Sequence, residues 1–222
     1  MRGRLVVLEG GEGVGKSTQL RRLAARLSTA GVAHRVFREP GGTAAGDRIR
    51  ELLLHADAPL APTTEAALFI ASRAQLVAQE IAPALARGEQ VLLDRFMLST
   101  YAYQIHGRGL DEGTVRAANR LATAGLVPDL TILLTLAPED GLARAGTRGS
   151  HDRIERAAAE FHARVAAAFA RFATGEWQDA HPECGPILAV DASGTEEEVE
   201  ARVLALLDHH LPSLLSPSRN LA

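Results

Sequence analysis

The segment from residue 5 to residue 27 limits what this chain can fold into. An apolar run, Leu5-Val6-Val7-Leu8, leads into Gly10-Gly11-Glu12-Gly13-Val14-Gly15-Lys16-Ser17, a full match to G-x-x-x-x-G-K-[ST]. Thr18 to Leu27 then carries a helical apolar period. Strand, glycine loop and helix in that order form a phosphate cradle, because the glycines admit positive φ and close backbone approach. Backbone N–H groups at the helix start face the phosphates, Lys16 reaches the outer ones, and the Ser17 hydroxyl is placed for Mg²⁺. Lys16 is the only lysine in the sequence, every other basic side chain apart from histidine being arginine. A compact ammonium is wanted there, where a broad guanidinium does not fit. The pattern predicts a nucleoside triphosphate as ligand.

Strand-like runs recur at Leu5–Leu8, His34–Phe37, Val91–Leu93, Leu130–Leu136 and Ile187–Val190, separated by helical patterns. That alternation predicts an α/β fold, a doubly wound parallel sheet of about five strands flanked by helices, as in P-loop NTPases. Helices are expected over 17–30, 45–55, 63–87, 111–124, 152–174 and 195–210, with Pro83 kinking or breaking the third. Residues 175–186, with Trp177, Pro182 and Pro186, read as a surface connection. A single domain over 1–211 and a flexible tail over 212–222 are expected.

Net charge of −3 argues against a protein that coats nucleic acid, which needs basic excess. No apolar run has membrane-span length, and residues 1–8 lack the regions of a signal peptide, so a cytoplasmic protein is expected. One cysteine, Cys184, cannot form an internal disulfide, and the eight histidines show no metal-ligand spacing.

In open α/β sheets ligands gather beyond the carboxyl ends of the strands. After the second strand come Arg38-Glu39-Pro40-Gly41-Gly42-Thr43, and after the third Asp94-Arg95 with Ser99-Thr100-Tyr101-Ala102-Tyr103-Gln104. A carboxylate suited to Mg²⁺ thus emerges beside arginines suited to phosphate. Phe69 and Arg73 share a helix face and can clamp a nucleobase, one with a ring and the other with a fork of donors. Residues 142–155 combine glycines with Arg144, Arg148 and Arg153, the composition of a mobile lid, taken as about 142–154, that carries positive charge onto a transferring phosphate.

These pieces together resemble bacterial thymidylate kinases over nearly the whole chain: the P-loop through Thr18, the 38–43 stretch, Phe69-x-x-x-Arg73, Asp94-Arg95 with 99–104, and the lid ending Asp152-Arg153-Ile154-Glu155. The resemblance implies transfer of the γ-phosphoryl group of ATP to thymidine 5′-monophosphate (dTMP), with Mg²⁺, in a homodimer. It implies that Phe69 stacks on thymine, that Arg73 bonds its exocyclic oxygen, and that Gln104, Ser99 and Thr100 complete the base pocket. Arg38, Arg50 and Arg95 would hold the acceptor phosphate and Glu12 the deoxyribose 3′-hydroxyl, with Tyr103 crowding a ribose 2′-hydroxyl and with Pro40 and Asp94 in the same substrate site. Ser17 and Asp94 would hold the metal, and Arg144 would lie near adenine. Since the P-loop carries Gly13 where some members have an arginine, the chain resembles the type whose catalytic arginine is in the lid, Arg148 or Arg153.

A phosphate monoester has a second pKa of about 6, so the attacking oxygen is already ionised near neutral pH and needs no general base. Catalysis reduces to neutralising and aligning two anions by Lys16, Mg²⁺, Arg95 and the lid arginines, with Glu12 orienting. Two alternatives stand beside this reading: another nucleoside monophosphate kinase on the same scaffold, and an ATP-dependent switch.

Overall fold

Five short runs, four of them rich in branched aliphatic residues, form five parallel strands in the computed structural model, which describes residues 2–55, 59–137, 140–141, 144, 153–154 and 158–216. The strands are β1 (Leu5–Glu9), β2 (His34–Arg38), β3 (Gln90–Asp94), β4 (Leu130–Thr135) and β5 (Ile187–Asp191), in the order β2-β3-β1-β4-β5. β1 is central, with Leu8 opposite Asp94 on β3 and opposite Ile132 on β4. Side chains alternate across the sheet, so Leu5 and Val7 enter one core with Leu93 and Leu133, while Val6 and Leu8 enter the other with Leu92 and Ile132. Both faces being covered explains why β1 reads as an unbroken apolar run.

Helices α1 (Lys16–Thr29) and α9 (Glu196–His210) cover one face. Thr195 and Glu198 form a reciprocal capping box at the start of α9. The other face is covered by α3 (Pro62–Leu76), α5 (Met97–Thr100), α6 (Glu112–Thr123) and α7 (Ala159–Phe172), with α2 (Ala44–His55) packed on α3.

Several expectations need correction. The third helix is not broken at Pro83: the chain passes from α3 through a π-helical stretch, Val77–Ile81, into α4 (Ala82–Ala86). Proline lacks an N–H and crowds the preceding turn, and the wider stretch just before it accommodates both. Residues 175–186 are no loose connection but fold as α8 (Gly175–Ala180) and a 3₁₀ turn, Pro182–Cys184. Trp177 and Cys184 are buried there, and the Trp177 ring stacks on His181 at 3.9 Å between centroids. The apolar face of that short segment outweighs its turn-forming prolines. Residues 153–154 lie in a turn rather than in the expected 152–174 helix, of which the described part is α7. Leu214, in the expected tail, is buried against the α1/α9 core. Residues 217–222 lie outside the described residues, as do Gly146, Arg148 and Asp152 of the expected lid.

Candidate active site

Residues 10–15 turn through a loop that demands glycine at specific positions. Gly10 has φ 136° and Gly13 φ 71°; a Cβ at Gly10 would meet the Leu134 carbonyl oxygen at 2.4 Å, and one at Gly13 the Gly141 carbonyl oxygen at 1.9 Å. The loop delivers Lys16 to the first position of α1, where Nζ donates to the carbonyls of Gly10 (3.1 Å) and Gly11 (2.6 Å). Burial, with the neighbouring Arg95 guanidinium, lowers the Lys16 pKa to about 8. An anionic ligand would relieve that penalty.

The ends of β1 and β3 bring the reactive groups together. Ser17 Oγ donates to Asp94 Oδ2 at 2.7 Å, so two hard oxygen donors meet at the rim of the loop. This pair suits Mg²⁺, which usually takes one or two protein oxygens and completes its octahedron with phosphate and water. Among the described residues no group of three or more His, Cys, Asp or Glu side chains is gathered to hold a metal ion. Arg95 has φ 68°, a left-handed conformation uncommon for a residue other than glycine, and its N–H donates to Leu8 O at 3.0 Å. That turn aims the guanidinium back over the loop: Nη1 donates to Gly10 O (3.1 Å) and Ser99 Oγ (3.0 Å), and Nη2 to Glu12 Oε1 (2.7 Å).

Glu12 also accepts from the Tyr103 hydroxyl at 2.7 Å. Burial alone would raise its pKa, but Arg95 and Lys16 outweigh it and hold the carboxyl down to about 2. Burial pushes the Tyr103 hydroxyl well up, so it stays a donor. The Arg95 guanidinium lies 5.2 Å from the Tyr103 ring centroid. Glu12, Arg95 and Tyr103 are therefore one unit.

A cleft of about 230 Å³ runs from Gly13, Gly15, Lys16 and Ser17 past Glu12, Asp94 and Arg95 to a far end walled by Phe69, Arg73, Ser99, Thr100, Tyr103 and Gln104. Arg38, Pro40, Arg50, Leu54 and Ile154 line it too. Gly10, Gly11, Val14 and Thr18 belong to the loop and helix behind it. Arg144 stands apart, with Nη1 donating to Ala192 O at 3.2 Å beyond the end of β5.

Two arginines differ from what their sequence context suggests. Arg73 is buried, and all five of its N–H groups are committed: Nε and Nη2 to Glu39 (2.8 and 2.6 Å), Nη2 also to Phe96 O (2.8 Å), Nη1 to Thr100 (2.8 Å) and Asn119. It braces the cleft wall, and a bond to a base would displace one of these partners. Arg153 is tied to the other wall, with Nη2 on Glu65 (2.7 Å), Nε on Leu53 O (2.8 Å) and its backbone N–H on Leu54 O (3.1 Å).

Two carboxylates escaped the sequence reading. Glu9, fully buried, accepts from Phe96 N–H (2.7 Å), Ser99 N–H (3.1 Å) and Ser99 Oγ (2.7 Å), and so fixes the start of α5. Its one sequence signal is a charge ending an apolar strand. Glu65 sits one turn before Phe69 on α3 and gathers Gln104, Arg108 and Arg153. The four-residue spacing Glu65, Phe69, Arg73 is the signal that could have found it.

A parallel sheet whose central strand ends in this loop, with an Asp-Arg pair at the neighbouring strand end, defines a P-loop nucleotide-binding protein. Residues 8–203 match the family model for thymidylate kinase. The chain is 49% identical over 207 residues to a thymidylate kinase of Synechococcus sp. (strain JA-2-3B'a(2-13)), covering 93% of this chain and 95% of that one. It is 47% identical over 203 residues to a thymidylate kinase of Deinococcus radiodurans, covering 91% and 95%. The chain belongs to the thymidylate kinase family.

Proposed function

We propose that this protein transfers the γ-phosphoryl group of ATP to dTMP, giving dTDP and ADP. The observation that carries the reading is the continuity of one cleft, from a phosphate loop with a buried lysine at one end to an aromatic and amide-lined pocket at the other, with Arg95 and Glu12 between. A donor phosphate chain would lie over Gly10–Thr18 and an acceptor nucleotide along Arg38, Arg50, Phe69 and Gln104.

Lys16 and Arg95 spread positive charge over the point where the two anions meet. Mg²⁺, held from Ser17 and Asp94, would supply Lewis-acid neutralisation of the phosphate oxygens. Glu12, kept ionised, orients Arg95 and can accept from a sugar hydroxyl, while the protonated Tyr103 crowds the place where a 2′-hydroxyl would sit. Phe69 supplies a stacking face for the base. Arg153, and Arg148 from outside the described residues, are the candidates for charge compensation from the lid side. No residue needs to remove a proton.

No helix among the described residues is long and apolar enough to cross a membrane. A cytoplasmic enzyme without nucleic-acid partners fits this and the acidic net charge. Leu52 on α2 and Leu121 on α6 are exposed (55% and 84%) on helices flanking α3, a suitable face for a homodimer.

The test is a panel of monophosphate acceptors with ATP and Mg²⁺, reading ADP and the nucleoside diphosphate formed. Preference for dTMP supports the reading; preference for UMP or CMP makes the protein another monophosphate kinase, and acceptor-independent ATP turnover makes it a switch.

A further inference from the structure

Gln104 and Glu65 face each other across the wall of the cleft, from the π-helical stretch Tyr101–Gly107 and from α3. Both are buried, each about 1% exposed. Glu65 Oε1 lies 3.1 Å from Gln104 Nε2 and 3.1 Å from Arg108 Nε; Oε2 lies 3.0 Å from Arg108 Nη2 and 2.7 Å from Arg153 Nη2. Burial would raise the Glu65 pKa, but the hydrogen bonds from Arg108 and Arg153 more than offset this and lower it.

An ionised carboxylate only accepts hydrogen bonds. The end of Gln104 turned to Glu65 must therefore be its NH₂ group, and the flip of the amide follows from its partner. Gln104 lines the cleft, and its carbonyl oxygen takes no hydrogen bond from the described residues. The cleft is thus offered an acceptor, not a donor.

We propose that Glu65 is the specificity-determining residue of the base pocket: by fixing the Gln104 amide it selects a pyrimidine with an N3–H donor, a 2,4-dione, over a 4-aminopyrimidine whose N3 is an acceptor. This deepens the proposed phosphoryl transfer and rests on it. Thymine and uracil carry the N3–H; cytosine meets the Gln104 oxygen with a second lone pair. Glu65 need not touch the base, and its grip on Arg153 is a separate service to the other side of the cleft.

Glu65→Gln inverts the arrangement at almost constant shape. The new amide keeps its oxygen on Arg108 Nη2 and Arg153 Nη2 and turns its NH₂ to Gln104, giving up the bond from Arg108 Nε, and Gln104 then rotates and presents a donor to the base. The full-length protein and the variant are assayed with dTMP and dCMP at saturating ATP and Mg²⁺. The ratio of kcat/KM for dTMP to that for dCMP should fall by about tenfold or more in the variant. Any common loss through Arg153 cancels in the ratio, which a merely structural role leaves unchanged. An unchanged ratio overturns the proposal. If the unaltered protein phosphorylates neither acceptor, the phosphoryl-transfer reading itself fails. Should the variant not fold, the structure of the unaltered protein with dTMP decides: Glu65 still bonded to Gln104, whose other amide end meets N3, supports the proposal, and a Glu65 withdrawn from Gln104 ends it.

Discussion

A lysine whose pKa lies near 8 is only partly charged in weakly alkaline solution. Binding a polyphosphate favours the ammonium, so ATP binding by this protein should take up a proton above pH 8 and weaken as pH rises further. Calorimetry at pH 8.5 in buffers of different ionisation heat measures that uptake; no proton exchange would contradict the burial of Lys16. Glu12 behaves oppositely. Its folded pKa is depressed to about 2, so the stability it contributes is complete above the ordinary carboxylate range and is lost as pH falls towards 2. The stability gap between the native chain and Glu12→Gln should therefore shrink on acidification from about pH 5 to about pH 3, as denaturant midpoints would record. Arg153→Ala should lower kcat by about a hundredfold or more with little change in dTMP affinity. An unaltered kcat would leave Arg153 only its anchoring bonds to Glu65 and Leu53.

At the scale of elements, α5 is where the site depends most on something remote in sequence. Glu9→Ala leaves the Phe96 and Ser99 N–H groups without their acceptor and should cost about 3 kcal/mol, read as a drop in Tm, with weakened dTMP turnover because Arg95 and Ser99 lose their mount. A Tm within a degree of the native chain would contradict this. β1, β3 and β4 were legible because burial on both faces writes an apolar run into each of them, whereas the edge strand β2, His34-Arg35-Val36-Phe37-Arg38, is no apolar run and showed itself by its place in the strand–helix alternation. The loop was legible too, its pattern being complete in Gly10 to Ser17, although the carbonyls that exclude a Cβ at Gly10 and Gly13 belong to Leu134 and Gly141. Met97–Gly107 was not legible as a helix, since its tyrosines, serine and threonine carry no helical period until the sheet and α7 are placed around them. Glu9 and Glu65 hid for the same reason, because the partners that give them meaning lie 39 to 90 residues away. The residues of 138–152 outside the description leave Arg148 with its sequence argument alone.

For the whole molecule, Leu52 and Leu121 stand out of helices packed on α3, and they are the side chains that the proposed homodimer would cover. Leu121→Asp should shift the mass measured by light scattering from twice the chain mass towards one. A native chain that is monomeric at high concentration would contradict the dimer. The sheet itself organises the site: its central strand feeds the phosphate loop, its neighbour ends in Asp94 and leads into Arg95, and the far end of the cleft is walled in part by Phe69 and Arg73 of α3. That layout asks two separate anions to share one cleft, which a hydrolase has no need for. A single-turnover quench with γ-labelled ATP, Mg²⁺ and dTMP tests this most directly. The label should appear in the β-phosphate of dTDP; label released as inorganic phosphate, with dTMP unchanged, would contradict the account.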